Sequence, residues 1–296
     1  MRERIGLIGF GVMGAAMAAR FVDAGHQLIV VDTAAAARER ALELGCEVAE
    51  SPAAAGESAA VVLISLPRAE HVHRVVRGAD GLLSTASAGT VIVDTSTVDA
   101  ATTRANAAAA SASGVGYLDA PVLGRPRGIG SWTLPVGGEA ADLRRAEPIL
   151  RVLASRVVHM GPAGTGNTVK LLNNLMFGAI NAATCETFAL AERLGVDRRL
   201  LFETIVDSGA ATVSNLFREL GPKIIAGDFE PDFSIDNLAK DIDQGLALAS
   251  SAGLTLEVAE AGQRLNRRAQ AAGLGSEDTA AVVEVAGAAG QEEDAR

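Results

Sequence analysis

A short polar cluster in the second half of this sequence is the part best suited to chemistry. Lys170, Asn173 and Asn174 lie three and four residues apart, so a helix places a cation and two amides on one side. A lysine acts as a general acid or base when burial or a second cation lowers its pKa, whereas a guanidinium stays protonated at any working pH. Two interpretations are open. The cluster is either a hydrogen-bonded interface between domains or a lysine acid/base with an asparagine that orients a substrate.

Lysine is rare in this chain, which makes each lysine informative. Lys170, Lys223 and Lys240 are the only lysines among 26 basic residues, and arginine supplies the rest. We predict that Lys240 points into a cleft that also contains Lys170 and that Asp241 orients Lys240 or its surroundings, the alternative being a solvent-exposed ion pair. Lys223 follows a Gly-Pro pair and a predicted helix break, so we expect it at the surface.

A glycine-rich turn near the start predicts a dinucleotide site. Gly9-Phe10-Gly11-Val12-Met13-Gly14 follows a predicted strand and opens a predicted helix. The three glycines permit a tight turn, close approach of a pyrophosphate, and close helix packing, and the helix N-terminus favours phosphate.

Asp32, at the end of the next predicted strand, bears on the choice of cofactor. Its carboxylate can accept hydrogen bonds from ribose hydroxyls and would repel a 2′-phosphate. The residues at 33–37 contain no cation to receive such a phosphate, so NAD is favoured over NADP. The alternative is that Asp32 merely caps the following helix.

Alternating elements in the first half predict the framework that positions these residues. Short apolar runs alternate with Ala-rich helical patterns, which is typical of a parallel sheet covered on both faces. The predicted strands are Arg4–Phe10, Gln27–Asp32, Ala60–Pro67, Thr90–Thr97, Val115–Val122, Trp132–Val136 and Arg156–Met160. Polar ends of these strands, such as Ser96 and Thr97, should meet at the ligand-binding edge of the sheet, the alternative being that their hydroxyls are ordinary helix caps.

The second half reads as helical throughout. The segment Asn167–Leu194 is apolar on most of its circumference and is predicted to be a buried helix. Shorter predicted helices follow at Arg198–Ser208, Thr212–Leu220, Asn237–Ala252, Leu256–Ala272 and Ser276–Ala286, before a polar, frayed end at Gln291–Arg296. The fold class is therefore α/β: an N-terminal Rossmann-type doubly wound sheet (residues 1–162), then an all-α C-terminal domain (163–296) built on a long interdomain helix.

Composition excludes several other classes of protein. A formal net charge of −10 argues against binding to nucleic acid. No apolar run is long enough to span a membrane, and the chain enters a strand pattern at once, so we expect a cytoplasmic protein. Cys46 and Cys185 are predicted to be buried thiols, and the four histidines show no metal-ligand spacing, so no metal is expected. The apolar helical domain favours a homodimer or homotetramer.

Four separated blocks give the sequence a family resemblance. They are Gly9–Gly14, Asp119–Gly124 with Val136–Gly138, Gly164–Asn174, and Leu238–Asp241. In this order and spacing, over nearly the whole chain, they resemble the β-hydroxyacid dehydrogenase family, which includes 3-hydroxyisobutyrate dehydrogenases and tartronate semialdehyde reductases. The resemblance implies a reversible, NAD(P)-dependent oxidation of a small anionic 3-hydroxy acid to its semialdehyde. It also implies a crevice between a Rossmann domain and a 6-phosphogluconate dehydrogenase-like helical domain.

The resemblance also implies roles for particular residues. The catalytic lysine falls on Lys170 and the substrate-orienting asparagine on Asn174, with Asn173 beside it. The cofactor side is implied to include Leu66-Pro67, Ser96, Thr97 and Lys240, of which Ser96 and Lys240 also reach the substrate.

One departure from the family's pattern bears on the substrate. Members commonly have a Ser-Gly-Gly segment that holds the substrate carboxylate, whereas this chain has Leu123-Gly124-Arg125. Arg125 either replaces the lost contact with a bidentate one to an anionic group or is a solvated loop charge, as is the alternative for Arg127.

Two other functions stay open as alternatives. One is an imine reductase of the same superfamily, although those enzymes usually lack the catalytic lysine. The other is a dinucleotide-binding protein without catalytic activity.

Overall fold

The structure, a computed structural model, describes residues 4–209 and 211–287. The predicted frayed end at Gln291–Arg296 lies outside these residues. The chain divides into two compact units, Met1–Lys170 and Leu171–Arg296. The division falls inside a helix, a little beyond the expected boundary at residue 162.

The first unit is built on one eight-stranded sheet. Its strands are β1 (Arg4–Ile8), β2 (Gln27–Val31), β3 (Glu47–Val48), β4 (Val61–Ile64), β5 (Val91–Asp94), β6 (Gly116–Asp119), β7 (Trp132–Gly137) and β8 (Ala154–Gly161). They lie in the order β3-β2-β1-β4-β5-β6-β7-β8. Each neighbouring pair is parallel except β6 and β7, which pair antiparallel through Asp119 and Gly137.

Several strands end earlier than their apolar patterns predict. β4 ends at Ile64 and β5 at Asp94, so Leu66-Pro67 and Ser96-Thr97 belong to the loops that follow. The loop residues beyond these strands stay next to the sheet edge, where Thr95 and Ser96 are buried. The functional residues predicted at strand ends therefore sit on short connections at the carboxyl edge of the sheet.

Helices cover both faces of this sheet. They are α1 (Val12–Asp23), α2 (Ala35–Glu43), α3 (Pro52–Ser58), α4 (Ala69–Arg77), α5 (Ala100–Ala112) and α6 (Ala140–Leu153). One core packs Phe21 of α1 and Leu150 of α6 against the sheet. The other packs Val72 of α4 and Ala110 of α5 against the opposite face. The doubly wound architecture predicted from the alternating pattern is confirmed.

The described part of the second unit is helical, as predicted. A 29-residue helix, α7 (Thr165–Arg193), starts in the first unit and continues through the second. The helices α8 (Arg198–Asp207), α9 (Asn215–Ala226), α10 (Ile235–Ser251) and α11 (Glu257–Ala271) follow. Their core gathers around Phe188, Phe217, Ile235 and the 3₁₀ turn Thr279–Glu284.

The prediction that the long helix is buried is wrong for one of its faces. Leu172, Met176 and Leu190 are 53%, 67% and 59% exposed. The opposite face carries Cys185 and Phe188, which are fully buried in the helical core. The helix looks apolar all round in sequence because the exposed face is apolar too.

Two predictions near the C-terminal end are also wrong. The segment predicted as a helix at Ser276–Ala286 forms only the 3₁₀ turn Thr279–Glu284, which Asp278 caps. The helix predicted to break before Lys223 instead runs through Pro222 to Ala226, because Leu220 and Ile224 are held in the core.

Lys223 is consequently not a simple surface residue. Its ammonium donates to the Glu230 carbonyl at 2.7 Å and lies 3.3 Å from the Asp278 carboxylate. The Asp278 side chain is only 1% exposed, so this lysine neutralises a buried charge.

The remaining expectations concern cysteine and the membrane. Cys46 and Cys185 are free and buried, as predicted, and burial raises the pKa of both thiols. Within residues 4–209 and 211–287, no helix combines the length and apolar character needed to cross a membrane.

Candidate functional site

The backbone geometry of the turn between β1 and α1 requires glycine at two positions. Gly9 has φ +96°, and a Cβ there would lie 2.3 Å from the Ser65 carbonyl oxygen. A Cβ on Gly14 would lie 2.0 Å from the Gly9 carbonyl oxygen, so both positions exclude a side chain. A Cβ on Gly11 would meet nothing within 4 Å, which leaves open space beside the backbone.

This open space suits a pyrophosphate. No side chain caps the N-terminus of α1, so its first N–H groups are available to an anion. Val12, the first residue of the helix, is 66% exposed, Met13 is half-buried, and Phe10 is buried under the turn. The residues present therefore fit a dinucleotide.

Asp32 lies beside this turn, as its spacing predicts. Its carboxylate accepts hydrogen bonds from the Phe10 N–H at 2.7 Å and the Ala34 N–H at 2.8 Å. These contacts fix the carboxylate next to the glycine turn. The N-cap of α2 is Ala34 and no side chain caps this helix, so the Ala34 contact belongs to the turn that precedes α2 and does not make Asp32 its cap.

A nearby cation was missed in the sequence. The Arg38 guanidinium donates to the carbonyls of Asp32 and Thr33 at 3.0 and 2.9 Å. Arg38 lies one residue beyond the segment 33–37, which contains no cation. The signal was available, because a residue one turn into a helix can reach back to the residues that precede it.

The loops after β4 and β5 are joined by a hydrogen bond. The Leu66 N–H donates to the Ser96 hydroxyl at 3.0 Å. A Cβ on Gly9 would lie 3.1 Å from Leu66 Cδ2, so this loop also packs against the glycine turn. Pro67 is exposed and Thr97 half-buried beside them. These four predicted cofactor residues thus occupy one sheet edge.

The start of α7 is tied to the end of β6. The buried carboxylate of Asp119 accepts the N–H groups of Gly164 and Asn167, each at 2.8 Å. Burial raises the pKa of Asp119, and the hydrogen bonds from these backbone N–H groups oppose the rise. The Asn167 side chain in turn accepts the Val98 N–H at 3.2 Å. The helix is thereby fixed to two strand ends.

Lys170 follows one turn after this anchor. Its ammonium donates to the Val122 carbonyl at 2.9 Å, and its side chain is half-buried. Lys170 is therefore held at the carboxyl edge of the sheet, within the first unit.

The loop after Val122 is shaped by a buried tryptophan. The Trp132 indole N–H donates to the Arg125 carbonyl at 2.7 Å. A Cβ on Gly124 would lie 2.4 Å from Trp132 Cδ1, so only glycine fits there. Leu123 is bridged to Thr133 of β7. Arg125 is half-buried in this loop, while Arg127 is exposed.

The second unit brings three predicted residues together. The Asn174 amide donates to Asp241 Oδ2 at 2.5 Å, and Lys240 Nζ lies 3.0 Å from Asp241 Oδ1. Asn173, which is exposed, donates to the Asn174 amide oxygen at 3.1 Å. Asn174 is 1% exposed and Asp241 2%. Asp241 thus bridges the predicted asparagine and the predicted lysine.

The described residues contain no group of side chains suited to binding a metal ion. Among residues 4–209 and 211–287, no three His, Cys, Asp or Glu side chains are grouped so that they could hold an ion.

Two family models together match almost all of the chain. The model described as the NAD binding domain of 6-phosphogluconate dehydrogenase matches residues 4–161. The model described as the NAD-binding domain of NADP-dependent 3-hydroxyisobutyrate dehydrogenase matches residues 164–286.

Several named proteins are similar over most of their length. A 2-(hydroxymethyl)glutarate dehydrogenase of Eubacterium barkeri is 31% identical, with 95% of this chain and 94% of that protein covered. A 3-sulfolactaldehyde reductase of Escherichia coli is 33% identical with the same coverage. A 3-hydroxyisobutyrate dehydrogenase of Pseudomonas aeruginosa is 35% identical, with 83% and 85% covered.

Solved structures of other proteins also superpose on this chain. A 3-hydroxyisobutyrate dehydrogenase of Salmonella typhimurium superposes with a TM-score of 0.88 at 28% identity, covering 96% of this chain and 99% of that one. An imine reductase of a Pseudomonas species superposes with a TM-score of 0.60 at 22% identity, covering 96% and 99%. At that identity the second likeness concerns the fold alone.

Proposed function

The chain belongs to the β-hydroxyacid dehydrogenase family, and from that premise we propose that it interconverts a small 3-hydroxy acid and its semialdehyde, using a nicotinamide dinucleotide. The observation that carries this proposal is the position of Lys170, whose ammonium is fixed on the Val122 carbonyl at the carboxyl edge of the sheet. Relatives named for hydroxy acid or sulfolactaldehyde substrates support the same reaction class.

Proton transfer is the part of the reaction that falls to Lys170. The bound dinucleotide supplies the hydride acceptor or donor. As an alcohol is oxidised its O–H proton must leave, and the neutral amine of Lys170 accepts it; in reduction the ammonium donates a proton to the aldehyde oxygen. The Val122 carbonyl orients the ammonium of Lys170, and an ammonium can donate up to three hydrogen bonds.

The second unit supplies the groups that we assign to orientation. Asn174 keeps one N–H and one acceptor site beyond its contacts with Asp241 and Asn173, so it retains the capacity to hold a substrate hydroxyl or carboxylate. Asp241 fixes Asn174 and neutralises Lys240, which we assign to the cofactor side. Ser96 and Leu66-Pro67 serve the cofactor from the first unit.

Lys170 also weighs against the two alternatives. An imine reductase has no need of a lysine that exchanges a proton with an alcohol oxygen, and its likeness to this chain concerns the fold alone. A protein that only binds a dinucleotide has no need to fix a half-buried ammonium beside the sheet edge.

We expect Lys170→Ala to lower kcat by about a hundred- to ten-thousandfold, the usual contribution of a positioned general acid/base. NADH affinity, measured by fluorescence titration, should change little because the ammonium is bonded to the Val122 carbonyl in the loop after β6.

Lys170→Arg is the matched control. It keeps the positive charge but cannot give up a proton at any working pH, so it should be as inactive as the alanine variant. Near-normal turnover by either variant would exclude Lys170 as the acid/base.

We further propose that NAD is preferred over NADP. The Asp32 carboxylate is fixed beside the glycine turn, where it would accept from ribose hydroxyls and repel a 2′-phosphate. Arg38 lies close enough to complicate this preference, although its described contacts are with backbone carbonyls.

Asp32→Asn should raise the ratio of kcat/KM for NADP over NAD by about tenfold, as removal of about 1.4 kcal/mol of repulsion would. Steady-state kinetics with both cofactors measure this ratio. Adding Arg38→Ala should remove part of the gain, because the guanidinium is then no longer available to a 2′-phosphate. An unchanged ratio in Asp32→Asn would contradict the cofactor assignment.

We propose that Arg125 binds the acidic group of the substrate. Its backbone is fixed by the Trp132 indole, and its loop continues from Val122, to which Lys170 is bonded. A guanidinium in this position offers bidentate contact to a carboxylate or sulfonate.

Arg125→Ala should raise KM for the acid by roughly ten- to a hundredfold, the effect of losing a hydrogen bond to a charged group. Arg127→Ala, which removes an exposed arginine from the same loop, is the control and should leave KM unchanged. Equal effects of the two variants on KM would place Arg125 outside the substrate site.

We propose that the enzyme is a homodimer or homotetramer, supported by the exposed apolar side chains of Leu172, Met176 and Leu190 on α7. Sedimentation at micromolar concentration should show a dimer or larger species, and Met176→Glu should shift it toward monomer. A stable wild-type monomer would contradict the proposal.

A further inference from the structure

Asp94 is a buried carboxylate for which the mechanism above has no use. Asp94 is the last residue of β5 and is fully buried. Its Oδ1 accepts the Ser96 N–H at 2.9 Å. Its Oδ2 accepts the Tyr117 hydroxyl at 2.8 Å. A carboxylate with this many donors around it is held in one position.

These contacts extend to the glycine turn. Asp94 holds the backbone N–H of Ser96, and the Ser96 hydroxyl accepts the Leu66 N–H at 3.0 Å. The loop that contains Leu66 packs directly on Gly9, where a Cβ would clash with the Ser65 carbonyl. A continuous chain of contacts thus runs from Asp94 through Ser96 and Leu66 to the turn that suits a pyrophosphate.

The surroundings of Asp94 make its charge sensitive to pH. Burial, and to a lesser extent the Asp119 carboxylate on β6, raise the pKa of Asp94 to about 6, while the hydrogen bonds from Ser96 and Tyr117 oppose the rise. The Asn106 amide of α5 lies beside the Tyr117 phenol, whose own pKa is raised by burial and by Asp94. Protonation of Asp94 removes an acceptor on which Ser96 depends.

We propose that ionised Asp94 is a positioning residue for the dinucleotide, which holds Ser96 and, through its hydroxyl, the Leu66 loop against the glycine turn. This inference rests on the proposed function, since it assigns Asp94 to the same cofactor site. Dinucleotide affinity should then be highest at pH values above the pKa of Asp94, and it should fall as the pH drops through that pKa.

The test is the NADH dissociation constant, measured by fluorescence between about pH 5 and 8. In the wild-type protein it should rise as the pH falls through about 6. Asp94→Asn should weaken binding by about tenfold at neutral pH, as for one lost hydrogen bond to a charged group, and should flatten the pH dependence. KM for the dinucleotide should follow, with a smaller change in kcat.

Tyr117→Phe gives a signature that a merely structural role would not. It keeps the Asp94 charge but removes a hydrogen bond that lowers its pKa, so the midpoint should move to higher pH. In a double-mutant cycle, Asp94→Asn and Ser96→Ala should be less than additive, because Asp94 acts through Ser96.

Thr95→Val is the matched control. Its buried hydroxyl bonds the Ile64 carbonyl at the same sheet edge, so the variant should keep the wild-type affinity and midpoint. A flat wild-type profile, an unmoved midpoint in Tyr117→Phe, or wild-type affinity in Asp94→Asn would overturn the proposal. A wild-type protein that binds no nicotinamide dinucleotide at any pH would instead overturn the proposed function, and this inference with it.

Discussion

The carboxylate of Asp119 accepts two backbone N–H groups at the start of α7, and the position of Lys170 depends on this contact. Gly164 and Asn167 are bonded to its two oxygens, which ties the helix to the end of β6. A Cβ on Gly166 would lie 2.5 Å from the Asp119 carbonyl oxygen, so the helix could not approach this closely with any other residue there. One turn later, Lys170 meets the Val122 carbonyl of the loop that leaves the same strand.

The direction of the strands explains why the other functional groups are in the same region. β1, β2, β4, β5 and β6 run parallel, so their carboxyl ends lie along one edge. Three connections from that edge carry residues that we propose for the cofactor site: the glycine turn after β1, Asp32 after β2, and Ser96 after β5. Apolar side chains of the strands pack into a core on each face of the sheet, and the polar groups lie in the loops at its edge.

Much of this arrangement was predictable because it depends on local patterns. Runs of Val, Ile and Leu predict buried strands, and the spacing of Lys170 and Asn174 on one helix is a matter of helical geometry. The Gly9 turn was predictable because its backbone conformation and the close Ser65 carbonyl allow only glycine. The family resemblance added roles that these patterns alone leave open.

The remaining features depend on contacts between distant parts of the sequence. The bond from Asn174 to Asp241 spans 67 residues, and nothing near either residue signals it. Lys223 looks exposed until Asp278 is brought beside it by the 3₁₀ turn, and Pro222 stays inside α9 because the core holds the helix on both sides of it. Asp94 resembles an ordinary strand end in sequence, since its partner Tyr117 comes from the next strand.

We propose a reaction that interconverts a 3-hydroxy acid and its semialdehyde, in which Lys170, held at the sheet edge, exchanges a proton with the alcohol oxygen while a hydride moves to or from the dinucleotide. A spectrophotometric NADH assay of the wild-type protein tests it most directly, using a panel of 3-hydroxy acids, their semialdehydes, sulfonate analogues and cyclic imines. We expect at least one 3-hydroxy acid to reduce NAD and its semialdehyde to oxidise NADH. Turnover of imines alone, or NADH binding without turnover of any acid or aldehyde, would exclude a 3-hydroxy acid dehydrogenase.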